Sequence, residues 1–146
     1  MADQIGQALQ HIRTILTGDA ALVARVPVAN IYMSFPNTEI PKIPMPCIIL
    51  ENEGGPAGFA APIQQLSLRI HVWSRKSQPE CYEIYEIARK LVDMSRLHSD
   101  VESNGTKVNR TSGYMRQVNR PSGGYAEEMQ SYFCNGRFNI YTATNE

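Results

Sequence analysis

Three histidines, three cysteines and fourteen acidic residues are what this 146-residue chain has for acid–base, nucleophilic or metal chemistry. His11, His71 and His98 stand far apart, and no His, Cys, Asp or Glu group has the close spacing that gathers ligands around one ion. Cys47, Cys81 and Cys134 form no CxxC pair. Their odd number and apolar neighbours predict buried free thiols in a reducing compartment. A thiol without an adjacent cation keeps its proton and is a poor nucleophile. No GxSxG, GxGxxG or phosphate-binding loop occurs. The run Gly54-Gly55-Pro56-Ala57-Gly58 contains a proline and opens no helix, so it reads as a hairpin tip. Glu80, Glu83 and Glu86 recur at helical spacing and read as a solvated helix face rather than paired catalytic carboxylates. The sequence therefore predicts no enzyme, no cofactor and no metal site.

What remains is chemistry of recognition. Lys107, Arg110, Arg116 and Arg120 lie between Glu102 and Glu127 with no acidic residue among them, and Tyr114 is interleaved. Read as a loop, this stretch suits phosphate contacts and base stacking, or an acidic surface on another protein such as the Glu80, Glu83, Glu86 face of a neighbouring copy. Phe59, in the apolar stretch that ends the Gly/Pro tip, is a second candidate contact. Formal net charge is zero, which gives no overall field to attract nucleic acid or an anionic membrane and removes one barrier to self-association.

The elements that must carry these residues follow from periodicity. Ile5, Ala8, Leu9, Ile12, Ile15 and Leu16 make one face of an N-terminal helix, with Asp3 at its start and Gly18 placed for a left-handed end. Asp19 opens a short turn that ends before Pro27, and 30–35 reads as extended. Cys47 to Leu50 is a short apolar strand. In 65–73, Leu66, Leu68, Ile70 and Val72 alternate with Arg69, His71 and Trp73, predicting one face on a core and the other toward water or a partner. Ser77-Gln78-Pro79-Glu80 is a capping box, and Cys81, Ile84, Tyr85, Ala88, Leu91 and Val92 form the stripe of a long helix expected to run to about Leu97. Glu86 and Lys90 stand at the spacing of an ion pair. Asn104-Gly105 predicts a hairpin turn, Ser112-Gly113 and 121–124 predict loops, and 131–142 predicts a last strand in which Gly136 marks a bulge or a close approach. The expected fold is one α+β domain over 1–146: an antiparallel sheet with the N-terminal helix and the long helix on one face. Nothing approaches the length of a membrane span, and the first residues lack a basic segment followed by an apolar run, so a cytoplasmic product is expected.

The stretch from Pro44 to Leu50, the strand ending Val72-Trp73-Ser74 with its capped helix, and the closing Arg137-Phe138-Asn139-Ile140-Tyr141 resemble the tail-terminator or tail-completion family of tailed bacteriophages. The resemblance extends over nearly the whole chain. It implies a virion protein, made in the host bacterial cytoplasm, that forms a ring, six-fold in that family. Such a ring caps the tail tube, stops its growth and joins it to the head. The implied partners are further copies of the chain, the tube protein and the head–tail neck proteins, with no membrane and no sequence-specific nucleic acid. The long Gly/Pro tip and the basic segment before the last strand depart from that pattern. A connector or neck protein of the same particle is the alternative, and a small nucleic-acid-binding module a more distant one. Arg69, His71, Trp73, the tip and the basic segment are the candidate contact residues.

Overall fold

The computed structural model describes residues 4–34, 43–54, 63–93, 96–103, 106–117 and 121–145. Helix α1 (Gln4–Thr17) is followed by the short α2 (Ala20–Val23), which Asp19 caps by accepting the Leu22 N–H at 2.9 Å. Gly18 donates to Thr14 in the helical manner and does not enter the left-handed region expected of it. Strands β1 (Ile31–Tyr32), β2 (Cys47–Gly54) and β3 (Ile63–Ser74) lead into α3 (Gln78–Val92), and β4 (Arg96–Ser103), β5 (Thr106–Gln117), β6 (Ser122–Ala126) and β7 (Ser131–Asn145) follow.

The strands form one seven-stranded sheet in the order β1-β2-β3-β7-β5-β4, with β6 pairing the start of β7. Every pair is antiparallel except β1–β2, which is parallel. The chain makes a long excursion between those two strands, so the return need not be a hairpin. The period-2 pattern sets the faces. Ile48, Leu50, Leu68, Ile70, Val72, Cys134, Phe138 and Ile140 pack beneath α1, α2 and α3, and each fully buried aliphatic or aromatic side chain there contributes roughly 1.5–3 kcal/mol. The predicted stripe of α3 is the buried one, with Leu91 only partly covered. Ser77 accepts the Glu80 N–H at 3.2 Å at its start.

Gly136 lets α3 approach the sheet. A Cβ there would collide with the Tyr85 ring, so the close approach expected at this glycine is what the structure contains.

Three expectations are corrected. Helix α3 ends at Val92, not near Leu97, because Asp93 takes an extended conformation and its carboxylate accepts the Gln117 N–H of β5 at 2.8 Å. The basic segment and Ser112-Gly113 are not loops but a strand, held by pairing with β7 on one side and β4 on the other. Part of the stretch expected as a loop at 121–124 is β6. Ser103 and Thr106 face each other across the two residues Asn104 and Gly105, which lie outside the described residues, as do Asp3, Phe59 and Arg120.

Candidate assembly surfaces

The face of the sheet away from the helices carries the polar alternation of β2, β3 and β7, and here the sequence-predicted contact residues divide. Arg69 and His71 lie on it, half-buried. Glu53 of β2 binds two guanidinium groups from two other strands: it accepts from Arg69 Nε at 3.3 Å and from Arg137 Nε at 3.1 Å. Arg69 also donates to Asn135 at 3.1 Å. Burial alone would raise the Glu53 carboxyl, but the bonds from Arg137 and Arg69 and their charges hold it below its ordinary range. His71 Nε2 lies 3.4 Å from Glu51. Burial, helped by the Arg69 charge, keeps the imidazole below its ordinary pKa against the pull of Glu51 and Glu53. Neither Glu53 nor Arg137 is among the contact residues read from the sequence. The alternation that puts Phe138 and Ile140 inward already places Arg137 outward, and that is the signal which could have found it.

Trp73 does not lie open to water on this face. It is 8% exposed and belongs to a second, smaller core on this face with Ile43, Cys47 and Ile49, against which Met45, Met129 and Phe133 pack. Its ring lies 5.5 Å from that of Phe133. The segment before β2 and the turn Glu127–Met129 after β6 cover one end of the face, so alternation alone gave its side correctly and its exposure wrongly.

The acidic row of α3 is largely spoken for within the chain. Glu83 binds Arg25 at 2.6 Å, tying α3 to the end of α2. Glu86 pairs with Arg89 and not with Lys90, and Arg89 also reaches Asp93 at 3.3 Å. The guanidinium fork serves two carboxylates at once, which the lysine ammonium does not match in geometry. Glu80, with Arg25, Lys76, Ser77, Pro79 and Glu83, lines an open cleft of about 350 Å³ at the start of α3. The cleft mixes both signs of charge. Tyr82 and Tyr125 are exposed, and Tyr125 packs on Tyr132 at 4.9 Å.

The predicted basic residues are placed by backbone register. Arg116 pairs with Asn139, Tyr114 with both Tyr141 and Arg96, Arg110 with Asn145, and Lys107 with Glu102. They therefore lie along one strand of the sheet and not on an extended loop. The three cysteines are buried free thiols, as expected, and burial pushes Cys47 and Cys134 up to about 12 and Cys81 up to about 11. Among the described residues no group of three His, Cys, Asp or Glu side chains could hold a metal ion, and no helix is long and apolar enough to cross a membrane.

No protein-family model matches the sequence, and no match is found among curated proteins. Among solved structures, the chain is similar to one from the virion of a native gene transfer agent particle. The TM-score is 0.69 at 13% sequence identity, over 98% of this chain and 99% of that one. The two share a fold from end to end.

Proposed function

We propose that this chain is a structural subunit of a phage-like virion, closing into a ring on the end of the tail tube where it halts growth of the tube and joins tail to head. The observation that carries this reading is the fold shared over 98% of this chain with a component of the gene transfer agent virion. A shared fold alone leaves function open, so the resemblance of the Val72-Trp73-Ser74 strand, its capped helix and the Arg137–Tyr141 strand to tail terminators supplies the rest. The reading assigns no catalytic step. A ring acts sterically, binding the last tube layer on one side and presenting a surface to which no further tube subunit can add. Its partners are further copies of itself, the tube protein and the neck proteins, in the tail or neck of the particle.

The test is genetic and morphological. Deleting the coding sequence from the particle that encodes it should give tails of uncontrolled length separated from filled heads, restored by supplying the chain in trans. Tails of normal length on detached heads would favour the connector or neck role instead. Normal particles would overturn the virion reading.

A further inference from the structure

Three successive rows of side chains cross β2, β3 and β7 on the face away from the helices. The first, Cys47–Trp73–Phe133, is apolar and belongs to the second core. The third, Glu51–Arg69–Arg137, is charged, and both its arginines bind Glu53. His71 stands in the row between, in register with Ile49 of that core on one side and Asn135 on the other. Its side chain is 12% exposed, and its Nε2 lies 3.4 Å from Glu51, which is 33% exposed. A neutral imidazole at this boundary extends the second core. A protonated one sets a cation in the row next to Trp73. The second core is far smaller than the one beneath the helices, and what covers it is irregular chain. The segment Ile43–Met45 is held by Arg75, which donates to the Ile43 carbonyl at 3.2 Å. The turn Glu127–Met129 is held by the Ser131 hydroxyl, which donates to the Met129 carbonyl at 2.9 Å. A satellite core of this kind can open without the main one.

We propose that His71 is a proton-operated catch on the second core: its protonation loosens the cover formed by Ile43–Met45 and the Glu127–Met129 turn, while the core beneath the helices stays closed. This does not rest on the ring reading. The groups around the imidazole set the sign. Burial is the largest influence and opposes the cation, and Arg69 on the same strand adds to it. Glu51 and Glu53 of β2 favour the cation but are outweighed, while Arg137 of β7 is engaged with Glu53. The folded imidazole therefore ionises below its ordinary range. Burial keeps Cys47 and Tyr32, the titratable groups of the second core, neutral in this pH range. With the cover lifted, His71 is solvated and ionises near about 6.5, so the open form takes up the proton more readily. Its contribution to closure is complete above about pH 6.5 and is lost as pH falls from there toward the folded-state value.

The cysteines report the two cores separately, since buried Cys47 lies in the second and buried Cys81 and Cys134 in the first. The test labels full-length protein with dithiodipyridine, which reacts with thiols below neutral pH, and maps the labelled sites by mass spectrometry. Rates are divided by those of the urea-unfolded chain at the same pH, which cancels the pH dependence of the reaction itself. Between about pH 7.5 and 5.5, Cys47 should speed up by about threefold or more, with Cys81 and Cys134 unchanged. Trp73, the one tryptophan of the chain, should become more accessible to acrylamide over the same range. His71→Gln, whose amide takes up no proton, should flatten both responses although His11 and His98 remain. Glu51→Gln removes a carboxylate that favours the cation, so its acid response should exceed that of the unsubstituted protein. That variant carries the test if melting curves show that His71→Gln does not fold. Equal acceleration at all three cysteines would mean that the whole fold loosens, and overturns the proposal. A flat Cys47 rate, an acid response that survives His71→Gln, or one that fails to grow in Glu51→Gln overturns it too.

Discussion

Gly136 is where the long helix comes hard against the last strand, and Gly136→Ala tests that packing. The new Cβ would overlap the Tyr85 hydroxyl and lie 2.7 Å from Cζ and 3.0 Å from Cε2 of the same ring. Tyr85 is 1% exposed and lies against Phe138 with ring centroids 6.4 Å apart, so the ring cannot step aside without opening a hole beside it. Overpacking an ordered core costs about 1–3 kcal/mol. Several overlapping atoms of one confined ring put this variant at the upper end. In a domain of this size each kcal/mol moves Tm by roughly 3–4 °C, so the expected fall is about 10 °C. Circular dichroism melts, with urea titrations to show that the midpoint moves and the slope does not, would measure it. Tyr85→Phe supplies the internal control. The hydroxyl is buried with no hydrogen-bond partner among the described residues. Removing it should be neutral or stabilising by about 1 kcal/mol, and it relieves the closest overlap. The double variant should therefore lose less than the sum of the singles, by about 1 kcal/mol. A Gly136→Ala protein melting within about 2 °C of the unsubstituted chain, or strict additivity, would mean that the Tyr85 ring has room to move at this contact.

Two further outcomes follow from burial. Trp73→Ala should lose about 3–5 kcal/mol of stability, as a core truncation does, whereas an indole on an open docking face would leave the melt almost unchanged; thermal unfolding decides between them. The buried thiols should make the fold sensitive to alkali. In the unfolded chain a thiol ionises near about 8.5, while Cys81 stays protonated to about 11 and Cys47 and Cys134 to about 12 in the fold. The native state therefore holds protons that the unfolded state releases, so the stabilising contribution is complete below about pH 8.5 and is lost as pH rises toward 11–12, by about 1.4 kcal/mol per pH unit for each thiol. Urea midpoints that stay flat from about pH 8.5 to 11 would contradict this.

Which parts of the fold could be read from the sequence depends on whether burial acts locally. The alternation from Leu66 to Trp73 and the stripe from Cys81 to Val92 were legible because a fully covered face enforces its period residue by residue. Strand β5 was not. Thr111, Ser112, Gly113 and Tyr114 have the composition of a loop, and what makes them a strand is a ladder to β7, 27 to 33 residues distant in sequence. The end of α3 was hidden for the same reason, since the Asp93 carboxylate finds its N–H partner on Gln117. Trp73 shows a third limit. Periodicity says which face a residue takes, but not that Ile43 and Met129 return to cover it.

The charge count gave the candidate surfaces only their outline. A net charge of zero argues against a global field, yet it says nothing about which charges meet inside one copy. The structure makes that distinction: Arg25, Arg69, Arg89 and Arg137 already have carboxylate partners on the same chain. Bonds of this kind stiffen the sheet and its helices and leave little to attract a second molecule. Glu127 differs, since it is exposed and makes no ion pair with any described residue. A neighbour is oriented by whichever charges a subunit does not already match within itself, because a contact that sets like charges together is disfavoured. Orientation is the property a ring subunit needs most, since a contact that worked equally well in both directions would form closed pairs and never reach the next copy.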